Sequence, residues 1–188
     1  MNNPSLIIIN GLPATGKTTF AEKLSQEFDL PLLVRDKIKE TLFDSLGHSD
    51  REWSRKLGSA SFDLLWKMTE ELMKTKMPFI VESPFNKELD SQRLIEYREK
   101  FGYEMLQIIL KTPGEIRFER FVERVTTGSR HPGHVDHINF ESQKENIVIE
   151  SITPLEIGGN TLEIDTSDFS KIDYPKIFEE IRRIIEVG

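Results

Sequence analysis

Short apolar runs alternate with longer amphipathic segments along most of this chain. The runs are rich in Ile, Leu, Val and Phe, and each predicts a short strand. The first run, residues 6–9, suits a strand that is buried on both faces. Five strands are predicted in this way, at residues 5–10, 32–35, 79–82, 105–110 and 162–165.

Helices are predicted where apolar side chains recur every three or four residues. Such segments cover residues 17–28, 37–45, 51–76, 89–101, 115 onward and 175 onward. Strands that alternate with helices favour a parallel α/β sheet with right-handed crossovers, here in a single domain over residues 1–188. The stretch 128–136 is predicted to be a loop. Within residues 139–157, the run Ile147–Ile149 fits a helix or a strand.

A glycine-rich loop follows the first predicted strand and precedes the first helix. Residues 11–18, GLPATGKT, fit the pattern G-x-x-x-x-G-K-[ST] of phosphate-binding P-loops in the context that the pattern requires. Gly11 and Gly16 allow close approach of the backbone, whose N–H groups then point at phosphate oxygens. The predicted nucleotide-binding residues are Gly11, Pro13, Ala14, Thr15, Gly16, Lys17, Thr18 and Thr19.

Two side chains of this loop carry the predicted chemistry. Lys17 supplies a mobile positive charge for the β- and γ-phosphates, and the Thr18 hydroxyl is a hard oxygen ligand for Mg²⁺. A glycine turn that only caps a helix is the alternative, but it would leave both residue types unexplained.

Carboxylates follow the second and third predicted strands, at the sheet edge where ligands of such folds bind. Asp36 can accept the proton of an attacking hydroxyl, and it can also cap the helix that starts there; the two roles are compatible. Glu82 resembles the carboxylate of a Walker B strand, with Glu in place of Asp, and predicts a second Mg²⁺ ligand that acts through water. A helix cap or an ion pair is the alternative for Glu82.

Arginine and glutamate separate on the helix that begins near residue 115. Arg117, Arg120 and Arg124 share one stripe beside an apolar face, and sequence neighbours on a helix do not face each other. Guanidinium groups pair with phosphates bidentately, so this stripe suits a triphosphate clamp as well as a solvated surface. Arg120 and Arg124 are predicted to bind phosphate, Arg117 is left open, and Arg130 lies close enough to join them.

The composition narrows the classes of function. With 188 residues and 37% hydrophobic residues, the chain can bury a real core. It has no cysteine, which excludes disulfides and fits a cytoplasmic location. The net charge of -7 argues against broad binding of duplex nucleic acid. No signal peptide or membrane span is expected, and His131 and His134 lack an evident third metal ligand.

These motifs together resemble those of P-loop kinases in the nucleotide-kinase-like group. The chain looks closest to small kinases related to zeta toxins, chloramphenicol phosphotransferase and polynucleotide kinase. The resemblance spans most of the chain, and the P-loop is its most specific part. It is carried by residues 11–19, 35–40, 119–124, 130–134 and 164–168.

The resemblance implies a P-loop NTPase fold of three layers, in which helices flank a five-stranded parallel sheet, with a mobile lid at residues 115–136. It would make Asp36 the base or the carboxylate that binds the acceptor. Glu82 departs from the more common Asp, so the family's metal role does not transfer directly.

The same resemblance assigns the residues around the nucleotide. Arg120 would be the lid arginine that stacks on adenine, and Arg124 and Arg130 would touch phosphates. Thr166 and Asp168 would lie in the loop beside the base.

The predicted function is an ATP-dependent kinase that moves the γ-phosphate of Mg²⁺–ATP to a hydroxyl of a small molecule or a nucleic-acid end. The acidic surroundings of Asp36 and Glu82 favour a neutral or cationic acceptor. A nucleoside monophosphate kinase is the close alternative, and it needs basic residues on the acceptor side. The candidates are Arg35, Lys37, Lys39 and Arg51.

A nucleotide-dependent switch or ATPase without an acceptor is the second class of function. GTP is disfavoured, because residues 86–89, NKEL, lack the aspartate of a guanine-reading N-K-x-D sequence. A toxin that acts on a cell-wall precursor sugar follows only from the zeta-like resemblance. The acceptor and the oligomeric state stay open.

Overall fold

A computed structural model describes residues 3–135 and 144–187 of the chain. The strands in these ranges are β1 (Ser5–Gly11), β2 (Leu32–Val34), β3 (Phe79–Glu82), β4 (Glu104–Lys111) and β5 (Asn160–Asp165). The helices are α1 (Lys17–Phe28), α2 (Arg35–Leu46), α3 (Arg51–Lys74), α4 (Lys87–Phe101), α5 (Gly114–Thr126), α6 (Lys144–Ile149) and α7 (Tyr174–Val187).

The strands form one parallel sheet in the order β2-β3-β1-β4-β5, with helices on both faces. The predicted three-layer α/β fold is confirmed. After β1, the chain forms β2 and β3 on one side of that strand. It then crosses over β1 and forms β4 and β5 on the other side. The carboxyl ends of β1 and β3, where Ile9 pairs with Glu82, therefore lie at the point where ligands bind in such sheets.

The alternation of side chains along β1 supplies two cores. Leu6 and Ile8 pack on one face with side chains of α3 and α4, and Ile7 and Ile9 pack on the other with side chains of α1 and α7. All four are fully buried, and such burial contributes roughly 1.5–3 kcal/mol per side chain. The sheet is thus a rigid base for the loops at its carboxyl edge.

Helix α2 begins two residues earlier than the sequence predicts. Arg35 is its first residue, and the N-cap position is Val34, which offers no side-chain hydrogen bond. The predicted capping role of Asp36 is therefore wrong, because that residue lies inside the first turn. Its carboxylate is left for contacts with side chains.

Two other details differ from the expected pattern or complete it. Leu89, predicted on the apolar face of α4, is 77% exposed. The ambiguous run Ile147–Ile149 is helical and belongs to α6. Residues 136–143, which hold the end of the predicted lid and loop, lie outside the described residues. Of the helices described, none has an apolar stretch long enough to span a bilayer.

Candidate functional site

A cleft of about 490 Å³ opens at the carboxyl ends of β1, β2 and β3. The P-loop lies at its base, the start of α2 lies on one side, and α5 lies on the other. The predicted site residues that line it are Pro13, Ala14, Gly16, Lys17, Thr18, Thr19, Asp36, Glu82, Arg120, Arg124 and Arg130. Side chains as far as 94 positions apart in sequence are in contact here.

The P-loop keeps its shape through internal contacts. The buried Thr15 donates to the carbonyl of Leu12 from its N–H at 3.4 Å and from its hydroxyl at 2.9 Å. Gly16 has a φ of 88°, and a Cβ there would lie 2.6 Å from the ring of Phe169. A Cβ at Gly11 would lie 2.8 Å from the Thr15 hydroxyl. Both glycines are therefore required for the loop and its close neighbours.

The ammonium group of Lys17 lies along this loop. Its Nζ donates to the Leu12 carbonyl at 3.0 Å. Burial lowers the pKa of Lys17, while two nearby carboxylates oppose this lowering and two arginines add to it. These neighbours are Glu82, Asp36, Arg124 and Arg130. A further anion bound at the loop would favour the charged form of the lysine.

Glu82 and Thr18 join the end of β3 to the start of α1. Thr18 Oγ1 donates to Glu82 Oε2 at 3.0 Å, and Glu82 is only 3% exposed. Burial raises the pKa of Glu82, although the charge of Lys17 opposes this. A hydroxyl and a carboxylate are hard oxygen donors, and Mg²⁺ needs only one or two protein ligands when water and substrate phosphates complete its shell. The two residues therefore fit Mg²⁺.

Each oxygen of the Asp36 carboxylate contacts a different arginine. Arg35 Nη1 lies 3.0 Å from Oδ1, and Arg130 Nη1 lies 2.9 Å from Oδ2. Burial by itself would raise the pKa of Asp36, but the charge and hydrogen bond of Arg130, aided by the charge of Arg35, hold the pKa below its usual range. The carboxylate is thus ionised at neutral pH.

The arginine stripe of α5 divides into a structural part and a cleft part. Arg117 is 1% exposed and donates to the carbonyls of Ile147 and Glu150, which fixes α6 against α5. Arg120 and Arg124 line the cleft. The role left open for Arg117 is therefore a packing role.

Arg120 stacks on the ring of Phe169 beside the P-loop. Arg120 Nη2 donates to the carbonyls of Thr166 and Ser167, both at 2.8 Å, and its guanidinium lies 3.8 Å from the centre of the Phe169 ring. Phe169 is 45% exposed and lines the cleft. Phe169 is not among the site residues predicted from the sequence, although an aromatic residue directly after the loop at the end of β5 is a usable signal.

Thr166 and Asp168 lie in the segment that leads to Phe169, and their side chains do not line the cleft. The Thr166 hydroxyl is buried at 2.7 Å from the hydroxyl of Thr112. The Asp168 carboxylate accepts from the N–H and hydroxyl of Ser170. They hold in place the chain that carries Phe169 and the carbonyls bonded to Arg120.

A family profile for the AAA domain matches residues 6–148. The chain belongs to this family. A candidate kinase from Chloroflexus aurantiacus J-10-fl shares 36% identity, with 97% of this chain and 99% of that chain covered and a TM-score of 0.92. A comparison of the chain with curated proteins finds no match.

More distant solved structures share the fold of this chain. A gluconokinase from Sinorhizobium meliloti 1021 has 14% identity and a TM-score of 0.55, and the match covers 99% of this chain and 96% of that one. A chain of the PezAT toxin–antitoxin system of Streptococcus pneumoniae has 16% identity and a TM-score of 0.52. The match covers 80% of this chain and 67% of that one. The matched part of the chain is a P-loop kinase-like domain.

Replacing Glu82 with glutamine is expected to stabilise the protein in the absence of ligands. Because burial raises the pKa of Glu82 in the folded state above its value in the unfolded chain, the stability that depends on its protonated form is lost as the pH rises through the folded pKa. Urea unfolding at pH 5 and pH 7.5 should show that the advantage of Glu82→Gln over wild type in free energy of unfolding grows with pH.

Glu163→Gln is the matched control, since Glu163 also lies near the carboxyl end of a strand but is exposed and paired with Lys111. It should show no comparable gain. A Glu82→Gln protein that is less stable than wild type at pH 7.5 would contradict the prediction.

Proposed function

We propose that this protein is an ATP-dependent kinase that transfers the γ-phosphate of Mg²⁺–ATP to a hydroxyl of a small molecule or a nucleic-acid end. One observation carries the proposal: the P-loop lysine Lys17 and the ionised carboxylate of Asp36 face the same cleft. A phosphoryl donor and a hydroxyl acceptor can therefore meet there in line. The likeness to the candidate kinase from Chloroflexus aurantiacus supports the same class of activity.

The donor side of the cleft binds the nucleotide in this proposal. The loop N–H groups and Lys17 hold the β- and γ-phosphates. Arg124 and Arg130 neutralise charge that develops during transfer. Adenine stacks against the pair formed by Arg120 and Phe169, since guanidinium and aromatic faces both attract a flat base. Thr18, and Glu82 through water, would hold Mg²⁺, which supplies charge neutralisation at the phosphate oxygens.

Asp36 serves the acceptor side. The acceptor hydroxyl donates a hydrogen bond to its carboxylate and passes its proton there as the hydroxyl oxygen attacks the γ-phosphorus. The bond from that phosphorus to the bridging oxygen of ADP breaks, and ADP leaves with the bonding electrons. Most of the rate enhancement then comes from positioning and charge neutralisation.

The basic residues near Asp36 favour an acceptor without a phosphate group over a nucleoside monophosphate. Arg35 is engaged by Asp36 and by the carbonyl of Gly58, and Lys37 pairs with Glu22 at 2.6 Å. Lys39 is buried and donates to Ser54 at 3.1 Å. A second phosphate would have to break these contacts to find partners.

The test is ADP release from Mg²⁺–ATP by the purified protein, with and without pooled acceptors. The pools hold nucleosides, nucleoside monophosphates, sugars, aminoglycosides and 5′-hydroxyl oligonucleotides. We expect a pool of unphosphorylated alcohols to raise turnover at least tenfold above the water background, and mass spectrometry to find the added phosphate. The cytoplasm, which supplies both ATP and Mg²⁺, is the proposed location.

Two results would redirect the proposal. Turnover raised only by nucleoside monophosphates would favour the monophosphate kinase. Tight ATP binding with slow, flat turnover in every pool would favour a nucleotide-dependent switch.

A further inference from the structure

The segment Arg130–His134, which follows α5, lies across one face of α2. Three carboxylates of that helix, four residues apart in sequence, each contact one basic or histidine side chain of the segment. The pairs are Asp36 with Arg130 at 2.9 Å, Glu40 with His134 at 3.0 Å and Asp44 with His131 at 3.2 Å. The segment is therefore docked on the helix that carries the proposed acceptor carboxylate.

Close packing supports this docking. A Cβ at Gly133 would lie 2.5 Å from the ring of Phe43, so the turn touches α2 with its backbone. The ring of His131 stacks on Phe43 at 5.2 Å, and the ring of His134 meets the same ring edge-on at 5.4 Å. The His134 side chain is only 3% exposed. Its hydrogen bonds are thus formed within the protein.

The hydrogen bonds of His134 define its tautomer. Arg130 Nη2 lies 3.2 Å from Nδ1, and a guanidinium can only donate, so Nδ1 carries the lone pair. Nε2 therefore carries the proton and donates to Glu40 Oε1 at 3.0 Å. The result is a continuous chain of contacts from Glu40 through His134 and Arg130 to Asp36. Each end of the imidazole has one role in this chain.

We propose that His134, oriented by Glu40, is a positioning residue that fixes the guanidinium of Arg130 between Asp36 and the phosphates. This inference rests on the proposed kinase function and adds a residue to it. The arginine side chain has several rotamers. An acceptor for Nη2, here Nδ1 of His134, selects the rotamer that points Nη1 at Asp36. A group misplaced by about 1 Å can lower a catalytic rate about 100-fold, so loss of this acceptor should affect transfer more than ATP binding.

Two substitutions separate the two ends of the ring. His134→Asn places an amide oxygen near the position of Nδ1 and keeps an acceptor for Arg130. His134→Gln reaches the position of Nε2 and keeps the contact with Glu40 but loses that acceptor. His131→Gln is the matched control, because it alters the neighbouring histidine of the same docked segment, which contacts Asp44.

The kinetic test uses the acceptor that is identified from the pools in the ADP-release experiment. His134→Gln should lower kcat at least tenfold with KM for ATP changed less than threefold, while His134→Asn and His131→Gln stay within threefold of wild type. In an Arg130→Met background, His134→Gln should have little further effect, because the two residues act as one unit. Equal losses in His134→Asn and His134→Gln, or a full loss from His134→Gln on top of Arg130→Met, would overturn the inference in favour of a purely structural role.

A spectroscopic test does not depend on the acceptor. In protein labelled with ¹⁵N at its four histidines, the signal lost in His134→Gln identifies His134, and its pattern should be that of the Nε2–H tautomer. Arg130→Met should move the Nδ1 resonance downfield as a hydrogen bond is lost. An Nδ1 resonance that Arg130→Met leaves in place would refute the inference whether or not the protein is a kinase. If Arg130→Met produces this shift but the wild type phosphorylates no acceptor, the proposed function is refuted and the inference about His134 stands.

Discussion

Replacing Lys17 with alanine is expected to lower kcat for ATP turnover by about 100- to 1000-fold, the usual effect of removing one preorganised donor to developing charge. The lysine is the cation that extends along the P-loop, and its Nζ lies 3.0 Å from the Leu12 carbonyl, where phosphate oxygens would replace that partner. Because burial lowers the pKa of Lys17, its removal should not lower the melting temperature of the unliganded protein. Steady-state ADP release and a thermal melt measure the two effects.

Lys23→Ala is the matched control for this prediction. Lys23 lies on the same helix, but it is exposed and lies over the ring of Tyr174 at 4.2 Å. It should keep turnover within twofold of wild type. If Lys17→Ala kept full turnover, phosphate binding at the P-loop would not drive the reaction, and the proposed mechanism would be wrong.

Replacing Asp36 with asparagine is expected to lower phosphoryl transfer to the acceptor by about 100-fold, within the range found for a general base. The amide has nearly the same shape but cannot take the proton of the hydroxyl. KM for ATP should change less than threefold, because the P-loop is untouched. The loss of charge between Arg35 and Arg130 should also cost about 1–3 kcal/mol of unfolding free energy. Single-turnover transfer and urea unfolding check the two effects.

Asp44→Asn controls for a general effect of altering the acidic face of α2. Asp44 lies two turns further along, 73% exposed, and pairs with His131. It should leave transfer within twofold of wild type. An Asp36→Asn enzyme with unchanged transfer would remove Asp36 from the chemistry and leave Glu82 as the other carboxylate of the cleft.

The strands and the P-loop could be predicted because their signals are local. A run such as Leu6–Ile9 has no polar face, so it must be covered on both sides, and the sheet does cover it. The glycines, lysine and threonine of the loop carry their chemistry in a fixed spacing. The sequence predicts a helix start after Asp36, because Asp is a preferred capping residue. In the structure the helix begins at Arg35, and the Asp36 carboxylate contacts the guanidinium groups of Arg35 and Arg130 instead.

The different environments of the three arginines on α5 could not be predicted from the local sequence. They share one stripe in sequence, yet Arg117 is buried against α6 while Arg120 and Arg124 line the cleft. The difference arises because α6 packs on only part of the helix. Periodicity gives the face of a helix, but the partner that covers each turn comes from distant sequence.

The sequence by itself determined the sheet, the phosphate-binding loop and the set of charged residues from which a site can be built. Only the tertiary structure decided which of those charges meet. The contact of Arg130 with Asp36 joins residues 94 positions apart, and so does that of His134 with Glu40. No periodic pattern encodes such pairs, because each depends on how two separately formed segments pack and on which hydrogen-bond partners remain once water is excluded.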